Sequence, residues 1–186
     1  MDSVVEATIQ LIEKAGWQAL TTEAVAERAG CAIGSFYQYF PNKEALLIEL
    51  ADRHLKEIQQ LVNEFIARKP PQDPKAFTIA VVTLFFDLHR QNPRLHQVLT
   101  SDLVLPKDIQ DKFDQFFILG EQWLANWLKE HTAMGARADI AAQLIVGTID
   151  HAAHGVLINQ ADEENTQLVF EETVTLILAY LEQSKT

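Results

Sequence analysis

At 186 residues and 48% hydrophobic composition, the chain can bury one core, or a small domain fused to a larger one, without help from disulfides or metals. Its formal net charge of -11 excludes a protein that coats polyanions over its whole surface, so any contact with nucleic acid has to come from a local arrangement. The single cysteine, Cys31, rules out an intrachain disulfide framework and fits a reducing compartment, with the cytoplasm as the expected location; no secretory leader pattern opens the chain, and its longest nearly apolar run, residues 76–86, falls well short of the ~20 needed to cross a bilayer.

Helix is expected nearly everywhere. Ser3-Val4-Val5-Glu6 has the form of a capping box, and Val5, Ile9 and Ile12 follow at helical spacing until Gly16. Thr21 and Thr22 cap a short second helix over residues 23–29, which ends at Gly30, a residue suited to a left-handed C-cap. A third, two-turn helix stops at Pro41. Asn42 then caps a long helix through Leu46, Leu50, Leu55, Ile58, Leu61 and Phe65, closed by the proline-rich connector RKPPQDPK at residues 68–75. Phe77, Ala80, Val81, Leu84, Phe85 and Leu88 form an amphipathic stripe, and a shorter helix starts at the proline after Asn92. Residues 107–131 place Ile109, Phe113, Phe116, Phe117, Gly120, Trp123, Leu124 and Trp127 on one face. Residues 138–158 are apolar almost all round and residues 168–181 carry two apolar stripes, so both of these helices have to be covered on two sides, most simply by a partner subunit. The fold class expected is all-α, about nine helices, with no β-hairpin signal or internal repeat.

The stretch GSFYQYFPNKEAL, residues 34–46, packs four rings into five residues before its proline. Counted from Thr22, Val25 and the small Ala26 face a second helix, Gly30 supplies the turn, and Cys31, Phe36 and Tyr39 fall on apolar positions, the spacing of a helix-turn-helix. Phe36, Tyr39 and Phe40, spaced i, i+3, i+4, form the inward face, two or three of these rings anchoring a helix too short to be stable alone. Tyr39 either joins that inward face or rims the outer surface, and Ile33, Gly34, Tyr37 and Gln38 point outward.

Through GWQALTTEAVAERAGCAIGSFYQYFPNKEAL, residues 16–46, the chain resembles the TetR family of bacterial transcriptional regulators; a Thr-Thr cap, A-x-x-A-G, G-S-F-Y-x-Y-F and N-K-E-A-L occur together in order. The resemblance implies an N-terminal DNA-binding domain of three helices over residues 1–45 and a ligand-binding and dimerisation domain over residues 46–186. It implies a homodimer formed through the last two helices, and a ligand-responsive repressor with a near-palindromic operator. Carried over position by position, Thr22, Tyr37 and Lys43 hold phosphates, while base reading falls to Ile33, Gly34, Ser35 and Gln38, with Tyr39 at the rim.

Two departures stand out. Ala32 occupies the usual polar N-cap and Ile33 a position often basic or polar. The first 56 residues carry five basic side chains against eight acidic and open Met1-Asp2 rather than with a basic arm. Weak DNA binding with a shallow salt dependence is expected, and a log-log slope near about -10 would contradict it.

For the effector, the resemblance implies a largely apolar pocket between helices, for which the candidates are Phe85, His89, Phe113, Phe117, Trp123, His151 and His154, and the effector is an unidentified, partly apolar small molecule. His151 and His154, with Asp150, stand in the most apolar helix, and three readings remain open for them: packing or interface histidines, polar pocket lining, or metal ligands. No third and fourth ligand lies nearby in sequence, so no metal or cofactor is assigned, and no nucleophile or catalytic set is apparent. A ligand-binding helical protein without specific DNA recognition is the alternative function. Gly147 and Gly155 share one helix face, where each costs about 1 kcal/mol relative to alanine; close approach of a helix in a subunit bundle with the last helix is the first expected compensation, and room for a ligand the second.

Overall fold

The structure, a computed structural model, describes residues 1–102, 105–157 and 162–182. Among them lie nine α-helices and no strand: α1 (Asp2–Ala15), α2 (Thr22–Ala29), α3 (Ile33–Tyr39), α4 (Lys43–Ala67), α5 (Pro74–Arg90), α6 (Pro93–Gln97), α7 (Lys107–His131), α8 (Ala138–Leu157) and α9 (Glu163–Glu182). A π-helical turn, Val98–Asp102, extends α6, and a 3-10 turn, Gly135–Arg137, precedes α8. No described helix is long and apolar enough to cross a membrane. The chain divides into two compact units, one of Met1–Ile58 with Asn92–Asp111, the other of Gln59–Gln91 with Lys112–Thr186.

In the first unit, α1 buries Val4, Val5, Ala7, Thr8 and Ile12. Its start is not the expected capping box: Met1 is the N-cap, without a side-chain bond, and Ser3 lies inside the helix. Gly16 ends it at φ 76°, a conformation open to glycine. A mutual cap joins α1 to α6. Arg94 and Leu95 N–H donate to the Glu13 carboxylate at 3.4 and 2.8 Å, and the Arg94 guanidinium donates to the Lys14 carbonyl at 2.9 Å. Each helix thus satisfies orphan backbone groups of the other, which matters for α6 because Asn92 supplies no side-chain cap. α4 begins where Asn42 Oδ1 accepts from Ala45 N–H at 2.8 Å.

In the second unit, α5 starts at Pro74 and takes in the last two residues of the expected connector, because Asp73 Oδ2 accepts from Ala76 N–H at 2.9 Å. Its buried face is Phe77, Thr78, Val81, Val82, Phe86 and His89, rotated from the expected stripe: Phe86 goes to the core and Phe85 to its edge. α9 starts at Glu163 rather than near residue 168, since Asp162 Oδ1 caps Asn165 N–H at 2.8 Å. Ile158, the expected end of α8, lies outside the described residues. One core joins Phe77, Phe86, Leu124, Leu128, Ile145, Ile149 and Ile177 from α5, α7, α8 and α9. Phe77 stacks on Trp127 with centroids 3.4 Å apart, and Trp127 on His131 at 4.6 Å.

Candidate nucleic-acid interface and effector site

Gly30 sets the turn between α2 and α3. At φ 67° and ψ 30° it is left-handed, and the next N–H, of Cys31, reaches back to the Ala26 carbonyl at 3.0 Å. α3 then begins without a side-chain cap at Ala32, whose carbonyl accepts from Ser35 and Phe36 N–H at 2.9 and 3.2 Å. The anchors are Phe36, fully buried, and Phe40; their centroids are 5.8 Å apart. Tyr39 is not a third anchor. It is 58% exposed, because in a seven-residue helix the inward arc is filled by the rings at 36 and 40. Ile33, Gly34, Ser35, Tyr37 and Gln38 are exposed with it, so every residue expected to read bases is on the free surface.

Two of the three expected phosphate contacts meet. The Tyr37 hydroxyl and Thr22 Oγ1 are 3.0 Å apart, at the first turn of α2, which Thr21 caps by accepting from Ala24 N–H at 3.1 Å. Lys43 is placed differently from a free surface cation. Its Nζ donates to the Trp17 carbonyl at 2.7 Å and lies 4.3 Å from the centroid of the Trp17 ring. Partial burial pushes its pKa down, with Glu44 opposing. Other cations of this unit are also engaged: Arg28 with Gln10 at 2.8 Å and Arg53 with Asp2 at 3.0 Å. α3 has no basic residue in its last turn, so the surface offers hydroxyls, an amide and the sec-butyl group of Ile33 rather than positive charge.

The expected effector residues fall in the second unit. Phe113 and Phe117 are half-buried along α7, and Trp123 packs beside Phe65 and Phe77 with centroids 6.2 and 6.0 Å away. The void inside the α5–α7–α8–α9 core is only about 10 Å³, no more than water-sized. An open groove of about 520 Å³ lies between the start of α5 and the ends of α7 and α9, lined by Lys75, Glu130, His131 and Leu178 among others.

The histidines separate. His151 is exposed, on the face of α8 that also shows Ile140 and Leu144, 62% and 55% exposed. His89 and His154 come together, with His89 Nε2 3.3 Å from His154 Nδ1. Between them is Asp150, whose carboxylate lies 3.7 Å from His89 Nε2 and 3.3 Å from His154 Nδ1. Burial pushes the Asp150 pKa up, but hydrogen bonds from His154 and His89 and their charges outweigh it and hold the group well below the usual carboxylate range. The bond to Asp150 raises that of His154 against the opposing effect of burial. Sequence placed Asp150 and His154 one turn apart; their partner 65 positions away had no local signature.

Residues 4–50 match the family profile of bacterial regulatory proteins, tetR family, and residues 73–181 that of the Tetracyclin repressor-like C-terminal domain. The HTH-type transcriptional repressor KstR of Rhodococcus jostii is 24% identical over 163 residues, covering 76% of this chain and 77% of that protein. The fatty acid metabolism regulator protein of Bacillus subtilis is 26% identical over 170 residues, covering 84% and 82%. Among solved structures, the transcriptional regulator FadR from Bacillus subtilis in complex with stearoyl-CoA superposes with a TM-score of 0.71 at 21% identity, covering 95% of this chain and 96% of that one. These relatives are regulators rather than enzymes.

Proposed function

This chain belongs to the TetR family of bacterial regulatory proteins, and we propose that, as a ligand-responsive transcriptional repressor of that family, it acts as a cytoplasmic homodimer on a near-palindromic operator. The observation that carries the DNA-binding role is the α2–α3 pair, a left-handed Gly30 turn with Phe36 and Phe40 inside and Ile33, Gly34, Ser35, Tyr37, Gln38 and Tyr39 outside. Thr22 and Tyr37 hold phosphate oxygens as a bonded pair. Lys43 joins them by exchanging the Trp17 carbonyl for phosphate. Ile33 meets a thymine methyl, Ser35 and Gln38 read base edges, and Tyr39 rims the groove. We assign DNA contact to residues 1–45 and effector binding and dimerisation to residues 46–186, with no catalytic step anywhere.

The dimer surface is the outer face of α8 and α9. Ile140, Leu144, Leu168 and Leu176 are each at least 55% exposed there, and a Cβ at Gly147 or Gly155 would meet nothing within 4 Å. Open space for a Cβ at these two helical glycines is accounted for by the close approach of a partner's helix. Such a dimer sets its two recognition helices about 34 Å apart, one turn of the duplex.

The effector is a partly apolar molecule, with a long-chain acyl thioester the first candidate because the fatty acid regulator is among the relatives and its FadR fold neighbour carries stearoyl-CoA. Phe85, His89, Phe113, Phe117, Trp123 and His154 are its candidate contacts; His151 belongs with the dimer face. A coupling of about 1–3 kcal/mol would lower operator affinity about 5- to 150-fold. Mobility shift of DNA flanking the chain's own gene, with and without acyl-CoA, tests this: a shift that acyl-CoA reverses supports the reading. The engaged cations and apolar Ile33 favour a second reading, an effector-binding protein without specific DNA recognition, and this is the conclusion if no flanking fragment shifts.

A further inference from the structure

We propose that His89, Asp150 and His154 form a site for one divalent transition-metal ion of the zinc class. Three side chains from α5 and α8, both within the second unit, bring two ring nitrogens and the two oxygens of one carboxylate together. His89 Nε2 is 3.3 Å from His154 Nδ1 and 3.7 Å from Asp150 Oδ1, and His154 Nδ1 is 3.3 Å from Asp150 Oδ2. Ligands about 2.0–2.1 Å from a tetrahedral zinc are about 3.3–3.4 Å from one another. The His89–His154 and His154–Asp150 separations match that edge, while the His89–Asp150 separation, 3.7 Å and to the other carboxylate oxygen, has to shorten slightly for one oxygen to complete the face.

The donor set suits such an ion. Two imidazoles and a carboxylate are taken by borderline divalent ions, and three protein ligands leave a fourth position for water or for an atom of a bound molecule. Local structure fixes the ligands. Asp150 and His154 stand one helical turn apart on α8 and project to the same side. His89 Nδ1 donates to the Phe85 carbonyl at 2.7 Å, the outer hydrogen bond that orients a ligating histidine and leaves Nε2 turned toward the cluster. The two rings meet edge to face with centroids 4.5 Å apart. The His89 side chain is 4% exposed, but those of His154 and Asp150 are 20% and 36% exposed, which gives an ion a way in.

One rearrangement accompanies binding. His154 Nδ1 donates to the Asp150 backbone carbonyl at 2.9 Å, so ligation at that nitrogen shifts the hydrogen of a neutral ring to Nε2, or releases one proton to solvent from an imidazolium. The site is independent of the operator reading, since none of its residues lies in the α2–α3 pair.

The test is calorimetric titration of the chelator-stripped full chain with Zn²⁺ in two buffers of different ionisation enthalpy, alongside Co²⁺ absorption as a geometry probe. We expect one ion per chain and Co²⁺ bands of tetrahedral character. Asp150→Asn and His154→Gln should each weaken binding by about 100-fold or more, while His131→Gln leaves it unchanged. Absence of saturable binding to the wild-type chain, or wild-type affinity in both Asp150→Asn and His154→Gln, would overturn the proposal.

Discussion

Phe36 and Tyr37 are adjacent aromatic residues with opposite roles. The first is wholly buried and the second 45% exposed, and their rings stand edge to face with centroids 5.4 Å apart. Truncating Phe36 to alanine should destabilise the protein by about 3–5 kcal/mol, read by urea unfolding. Tyr37→Phe removes only a hydroxyl. It should leave unfolding within about 0.5 kcal/mol of wild type while lowering DNA affinity about tenfold, equally across sequences, because a phosphate contact positions the protein without reading bases; fluorescence anisotropy on two unrelated fragments checks both halves. At this scale the sequence was legible where spacing decides the outcome. Four rings in five positions cannot all face inward, but whether 39 or 40 supplies the second anchor depends on where a short helix begins, and an uncapped start at Ala32 offers no local marker. Lys43 was legible as a cation near the surface; its turn into the Trp17 carbonyl was not, since that bond joins positions 26 apart.

Among the elements, periodicity located long helices better than their faces. α7 runs from Lys107 to His131 as its apolar spacing predicts, because one wide stripe, a proline before it and a polar end all agree. α5 shows what periodicity leaves open. Nearly every residue from Ala76 to Phe86 is apolar, so several stripes fit and only packing against α8 and α9 selects Val82 and Phe86 over Leu84 and Phe85. The Glu13 cap on α6 was invisible for a related reason: donor and acceptor lie more than 80 positions apart. Glu13→Ala should cost about 0.5–2 kcal/mol and speed hydrogen exchange selectively at the Arg94 and Leu95 amides. Unchanged exchange there would show that the cap does not hold α6. On α8, Gly147→Ala separates helix propensity from assembly. The added methyl meets nothing in its own chain and should stabilise the helix by about 1 kcal/mol, yet it should weaken the dimer in sedimentation equilibrium if a partner helix approaches there. A variant that is both more stable and equally dimeric would move the interface elsewhere.

At the scale of the whole molecule, a chain of net charge -11 is proposed to bind the most highly charged polymer in the cell. Geometry rather than bulk charge has to supply this, through a helix N-terminus, hydroxyl donors and two copies of a compact recognition helix in register with the duplex. The family assignment rests on both halves of the chain, whereas only residues 16–46 carried motifs that a single sequence can show; the remainder is generic amphipathic helix, whose identity lies in three-dimensional arrangement. Selection of bound sequences from random DNA by the full-length protein, repeated with long-chain acyl-CoA, decides whether this chain is an acyl-responsive operator-binding dimer. A near-palindrome whose half-site centres are one helical turn or a small multiple apart should be enriched, and lost when acyl-CoA is present. A pool that stays random, or that yields a single unpaired half-site, would contradict it.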